Sequence, residues 1–234
     1  MKILLLFSFL VLSLRGQDTY VPFRADLPAG AACTIDVRQL HPTQVALGWR
    51  EVVAKKKLIE GKNPAERVAY LKDKDVPIVI GPGGVPYMTD GHHTMRALLE
   101  SKVEDKTTYS HILANWAAVP PEEFWARMQA RHYVYLNDAG GNGPQPVATL
   151  PASLSAMQLD SYRALGWGVM KAGGFDEKKG VFFQEFLWGD RFRNKITWDD
   201  RDDAAFARAV KEASALAHTA AFADLPGYKQ EAAK

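Results

Sequence analysis

The sequence predicts an α+β protein: a small mixed β-sheet with helices, followed by a helical C-terminal subdomain. Two observations carry this. Strand-like runs, Thr34-Ile-Asp-Val37, Val76-Pro-Ile-Val-Ile80 and Lys106 to Ala114, fall in the first half and alternate with stretches of helical spacing. After a loop rich in Gly, Asn and Pro, Asn137 to Pro151, only helical patterns follow. The predicted units are residues 1–16, 33–136 and 152–225. A chain of 234 residues, 47% hydrophobic, can build a sizeable core.

Taken in order, Met1-Lys2 and the apolar run Ile3 to Leu14 have the form of a secretory signal, with cleavage expected after Gly16. The run is too short to span a bilayer comfortably, so no integral membrane segment is expected after cleavage, and the mature protein is expected to be secreted or periplasmic. Cys33 is the only cysteine, which excludes an intramolecular disulfide, and its setting in Ala-Ala-Cys-Thr reads as a small buried hydrophobe. Gln39 to Gln44 is expected to turn into a helix from about Gln44 to Glu60, with Pro42 near its first turn and Gly61 at its end. Asn63-Pro-Ala-Glu66 has the form of a capping box opening a second helix.

Val76 to Ile80 and Val85 to Thr89, joined by Gly81-Pro-Gly-Gly84, form an expected hairpin. Pro120 to Arg127 opens a short amphipathic helix, and Tyr133 to Leu136 reads as a brief strand. Three helices are expected beyond the loop: Asp160 to Lys171, Phe182 to Arg193 and Asp199 to Phe222. Phe182, Phe183, Phe186 and Trp188 read as core residues in preference to a base-stacking platform. Asp190 and Arg193 have the spacing of a surface salt bridge. The formal net charge of +2 gives no global footprint of a dedicated nucleic-acid binder.

The densest chemistry lies in Asp90-Gly-His-His-Thr-Met-Arg96, at an expected strand-to-helix junction. Asp90 is expected to cap the helix, Gly91 to permit close approach, and Met95, Leu98 and Leu99 to face the core. A helix start favours anions. His92 aligns with Arg96 at i,i+4, and His93 lies one turn from Asp90, as a general base paired with a carboxylate would. Adjacent histidines diverge by about 100° on a helix, which does not suit a shared zinc site. Gln44 and Glu51 could join from the preceding helix, and Asp90 with a second carboxylate could take a divalent metal such as Mg²⁺ or Mn²⁺, although no complete ligand set is visible.

Residues Thr34 to Leu99 resemble the ParB/sulfiredoxin-like superfamily, and more closely its branch of ParB-like nucleases. The carriers are Ile35-Asp-Val-Arg-Gln-Leu-His-Pro-Thr-Gln44 with Gly48, Val76 to Gly84, and Asp90-Gly-His-His93 with Arg96-Ala97. Asp160-Ser-Tyr-Arg163 and Phe183-Gln-Glu-Phe-Leu-Trp-Gly-Asp190 with Arg193 resemble the later part of that branch. Against the Gly-Glu-Arg-Arg-x-Arg box of CTP-binding ParB proteins, Gly91 and Arg96 match, while His92, His93 and Thr94 replace the glutamate and two arginines. That removes bidentate phosphate contacts. The sulfiredoxin nucleophile is replaced by His92.

The resemblance implies a phosphodiesterase or nuclease, with Asp90, His92, His93 and Arg96 as catalytic candidates. Gln44, Glu51, Gly91, Thr94, Tyr162 and Arg163 are substrate-binding candidates, and a nucleotide or nucleic acid is the expected partner. The alternatives are a non-catalytic nucleotide or phosphoanion-binding module and, from the intact Asp-Gly-His-His motif, a cytoplasmic free-serine kinase with Asp90 as its carboxylate.

Overall fold

The structure, a computed structural model, describes residues 19–200 and 202–230; the expected export signal, residues 1–16, lies outside them. Strand β1 (Val21–Pro22) pairs parallel with β2 (Ala32–Asp36). Asp36 then accepts the N–H of Arg38 and turns the chain out of the sheet. Two short strands follow, β3 (His41–Pro42) and β4 (Ala46–Leu47), before helix α1 (Trp49–Glu60). Helix α1 therefore starts at Trp49 and not near Gln44. Residues 41–47 are extended because their backbone groups find distant partners, so local periodicity does not decide their conformation.

Helix α2 (Pro64–Asp73) opens on the expected capping box, with Asn63 and Glu66 exchanging side-chain and backbone hydrogen bonds at 3.0 and 3.1 Å. Strands β5 (Val76–Ile80) and β6 (Pro86–Met88) form the expected antiparallel hairpin. They are followed by α3 (His92–Glu100), β7 (Thr107–Asn115) and α4 (Pro121–Ala130). The segment expected as a strand at Tyr133 to Leu136 makes one isolated bridge, Tyr135 to Gln44.

Among the described residues the main sheet has six strands in the order β1-β2-β7-β5-β6-β3. Helices α1 and α3 cover one face, where Val52, Ile59, Met95 and Leu98 meet Ile35, Ile78, Ile80, Met88 and Ile112. Phe124 and Met128 of α4 pack with Val79 in a second cluster. Cys33 is fully buried, and burial with the nearby Asp75 charge raises its thiol to about 11, in keeping with an inert core residue.

After the 137–151 loop, β8 (Gln158–Leu159) pairs parallel with β4. Helices α5 (Ser161–Lys171), α6 (Gln184–Arg193) and α7 (Asp203–Ala217) surround their own core of Leu165, Val169, Phe175, Trp188, Phe192 and Phe222. Asp160 caps α5 by accepting the N–H groups of Tyr162 and Arg163 at 2.8 and 3.0 Å. The helix expected up to Phe222 ends at Ala217, and a separate 3₁₀ turn covers Ala220–Phe222.

Glycines permit two close approaches. A Cβ on Gly48 would lie 2.9 Å from the Ala164 backbone, where the first part meets α5, and one on Gly166 would lie 2.4 Å from the Glu185 carbonyl oxygen, where α5 meets α6. Among the described residues, no helix is long and apolar enough to cross a membrane.

Candidate functional site

Gly91 takes the left-handed conformation, φ 83°, and is itself the residue that caps α3. This overturns the expected role of Asp90. Asp90 is exposed, and its carboxylate accepts the N–H of the adjacent Gly91 at 2.6 Å instead of reaching into the first helical turn. The left-handed turn directs the chain so that His92, His93, Thr94 and Arg96 are all buried.

Each of these side chains has a defined partner. His92 Nε2 accepts the N–H of Thr43 at 3.0 Å, and His93 Nε2 accepts the N–H of Gly48 at 3.0 Å. Both imidazoles are neutral. Burial lowers His92 to about 3, and burial with the nearby Arg163 charge lowers His93 well below its ordinary value. The expected Asp90–His93 pair is thus not formed, and the His93 nitrogen that a general base would use is already occupied. Arg96 does not join His92 on an open anion site either. It donates to Glu100 at 2.8 Å and to the Leu154 carbonyl at 2.5 Å, and lies over the Trp49 ring.

The ionisable centre lies one layer away, where α1, α3 and α5 meet. Arg163 Nη2 is 2.9 Å from Glu51 Oε2 and 3.5 Å from Glu185 Oε1. Lys55 Nζ is 3.1 Å from Glu51 and donates to Thr94 at 2.8 Å; His93 Nε2 is 3.9 Å from Glu51. Burial opposes charge on Glu51, but the His93 ring, the Arg163 guanidinium and the Lys55 ammonium around it favour the carboxylate and hold the carboxyl below the usual range. Arg163 Nε and Nη1 are buried and meet no acceptor among the described residues. Gln44 donates to the Ala46 carbonyl, and Tyr162 donates to that of Ile196, so both are held in the framework.

The sequence pattern of a family described as "Putative ParB-like nuclease" matches residues 33–194. The chain belongs to this ParB-like nuclease family. It is also similar to the crystal structure of a protein from Agrobacterium tumefaciens, with TM-score 0.74 and 30% identity over 86% of this chain and 99% of that one. No curated protein matches.

The ParB-like match runs through the loop at 137–151 and includes Arg163 and Glu185 together with Glu51. Lys55 lies in a run of three lysines and Glu185 in a run of aromatics, so neither stands out in the sequence by itself. The i,i+4 spacing of Glu51 and Lys55 was the one local signal for the centre. Among the described residues, no three His, Cys, Asp or Glu side chains gather as metal ligands.

Proposed function

We propose that this ParB-like protein binds phosphate esters and hydrolyses phosphodiesters at the Glu51–Arg163 centre. The supporting observation is the pair of unpartnered Arg163 donors, Nε and Nη1, buried beside an ionised carboxylate. Buried guanidinium N–H groups lacking an acceptor are costly, and a phosphoryl oxygen is the acceptor that suits them. In this reading Arg163 and Lys55 hold the phosphoryl group and take up its developing charge. Glu51 accepts a proton from the attacking water as its oxygen bonds to phosphorus, and the Lys55 ammonium gives a proton to the departing alkoxide as the ester P–O bond breaks. Lys55 and Glu185, whose side chains are 26% and 22% exposed, form the approach from solvent. His92, His93 and Arg96 orient the surrounding backbone, Thr94 positions Lys55, and Asp90 stands at the exposed start of α3.

A second reading is oxyanion binding without turnover. It is favoured by the two histidines, whose Nε2 atoms both already accept backbone N–H groups. One experiment separates the two. The parent, Glu51→Gln and Asp90→Ala are assayed for hydrolysis of bis(4-nitrophenyl) phosphate and short oligonucleotides, with and without Mg²⁺ or Mn²⁺, and for nucleotide binding by calorimetry. Hydrolysis that falls by about 10²–10⁴-fold in Glu51→Gln, with binding kept, supports catalysis. Binding without turnover in the parent supports the module. Neither binding nor turnover in folded protein makes the centre a structural ion-pair network. Export through residues 1–16 belongs to the same reading, and a mature N-terminus at Gln17 in the native host is its test.

A further inference from the structure

We propose that Phe182, stacked on His132 and close in the chain to Lys178 and Lys179, with Arg131 directly before His132, is a platform for an unpaired base of a single-stranded nucleic acid. The inference rests on the phosphodiester reading of the Glu51–Arg163 centre and names the substrate class that would reach it.

Of the four aromatics expected in the core, Phe186 and Trp188 are buried and Phe183 is half-buried, but Phe182 is 49% exposed. Its ring lies 5.8 Å from the exposed His132 ring with 28° between the planes. The stack is held by unusual backbone. His132 and Phe183 are the two non-glycine residues with positive φ among the described residues, at 55° and 56°. One follows the end of α4 and the other starts α6, so the two turns hold a stacked pair of which both members are exposed. A large exposed aromatic held this way presents a π-face that any base can use.

The charge around it has the sign that a phosphate backbone requires. Lys178 and Lys179 are exposed, and neither side chain has a partner among the described residues. Arg131 is exposed and lies 4.9 Å over the Trp116 ring, with its charge unneutralised. Of the nearby acids, Asp176 pairs with Lys229 at 3.2 Å, and Glu177 is one exposed carboxylate against the three cations Lys178, Lys179 and Arg131, so the balance stays positive.

The platform is also tied to the proposed centre. Phe182 is 6.3 Å from Phe183; Tyr135 lies 5.0 Å from Phe183 and 4.3 Å from Phe186; Arg163 lies 5.3 Å over Phe186. Glu185 shares this first turn of α6. A base on Phe182 therefore anchors a strand beside the turn that carries Glu185.

The test is fluorescence anisotropy with a labelled 20-nucleotide thymidine strand and a duplex of equal length. The proteins are the parent, Phe182→Ala, Phe182→Trp and the Lys178→Ala/Lys179→Ala double variant, each checked by thermal melting. The expected result is tighter binding of the single strand than of the duplex, and about tenfold weaker binding in Phe182→Ala at unchanged melting temperature. Phe182→Trp keeps the affinity, and the lysine variant flattens the log–log salt slope by about 1.4. The inference is overturned if the parent does not bind the strand, if strand and duplex bind alike, or if Phe182→Ala binds within twofold of the parent. It is also overturned if Phe182→Ala only converts a dimer to a monomer, which makes the patch a self-association surface. Hydrolysis of bis(4-nitrophenyl) phosphate keeps the two readings apart. If that small ester is not cleaved but Phe182-dependent strand binding persists, the hydrolytic reading fails and the platform stands.

Discussion

Gly48 donates its backbone N–H to His93 Nε2 at 3.0 Å, and Thr43 does the same to His92. The histidine pair of the motif thus receives two backbone donors from one extended segment and anchors that segment on α3. This explains how residues 41–48 stay out of helix α1, and it ties both imidazoles to the neutral state.

Stability is therefore expected to fall with acidification. An unfolded histidine takes a proton as pH falls through about 6.5. Folded His92 does not do so until about 3, and folded His93 titrates well below its ordinary value. In that window the unfolded chain binds more protons, so unfolding free energy drops as pH falls, by about 1.4 kcal/mol per pH unit for each histidine. His111 has the opposite sign, because its hydrogen bond to Asp75 raises it; that contribution is present in acid and lost as pH rises through the raised value. It is smaller because the His111 side chain is 41% exposed. Urea unfolding between pH 7 and 5 measures the sum. His92→Gln keeps an acceptor for Thr43 and cannot titrate, so between pH 7 and 5 it should lose about 2 kcal/mol less stability than the parent; an unchanged loss would show that His92 is not held neutral.

The Glu51–Arg163 pair gives a second prediction. Both side chains are over nine-tenths buried. Glu51→Leu leaves the Arg163 cation with Glu185 alone at 3.5 Å, and should cost about 3–5 kcal/mol by urea denaturation. Glu51→Leu with Arg163→Met removes both charges and should regain most of that loss. If the double variant is no more stable than the single one, the pair does not act as a unit.

Helix α5 is predicted to tolerate no methyl at its close contacts. Gly48→Ala places a Cβ 2.9 Å from Ala164 backbone atoms, and Gly189→Ala places one 2.6 Å from the Tyr162 carbonyl oxygen. In both cases the obstacle is backbone and cannot rotate away. Each change should lower stability by about 1–3 kcal/mol. Gly173→Ala meets open space but has φ +82°, so it tests backbone strain without crowding. Thermal melting of the three variants separates the two effects.

What could be read from the sequence follows the range of the interaction. The Asn63–Glu66 capping box, the β5–β6 hairpin and the buried Cys33 are local patterns, and the structure has them. The start of α1 was misplaced because β3 pairs with β6 and β4 with β8, partners that local spacing does not encode. The motif stands out in the sequence, but the Asp90 cap and the Asp90–His93 pair expected within it do not form. Gly91 in the left-handed region turns Asp90 outward and His93 inward, and a sequence pattern carries no φ. Arg163 was named as a candidate without its partner, since only the docking of α5 on α1 brings it to Glu51.

The Asp190–Arg193 spacing read as a weak surface bridge, and the structure corrects this. Arg193 Nη2 lies 2.9 Å from Asp160 and 3.1 Å from Asp190, Nη1 donates to the Ala139 carbonyl, and the guanidinium rests over the Tyr162 ring. Asp160 is 2% exposed, and burial raises its pKa although the α5 N–H groups and Arg193 favour the charge. Arg193 is therefore the counter-charge of the α5 cap. Arg193→Met should leave that carboxylate buried without its cation, costing about 3 kcal/mol or more. Asp160→Asn keeps an oxygen for Tyr162 and Arg163, so in the Arg193→Met background it should restore stability, while Asp160→Ala should not. A urea series on these variants decides it: if Arg193→Met costs under 1 kcal/mol, the bridge is of the exposed kind after all.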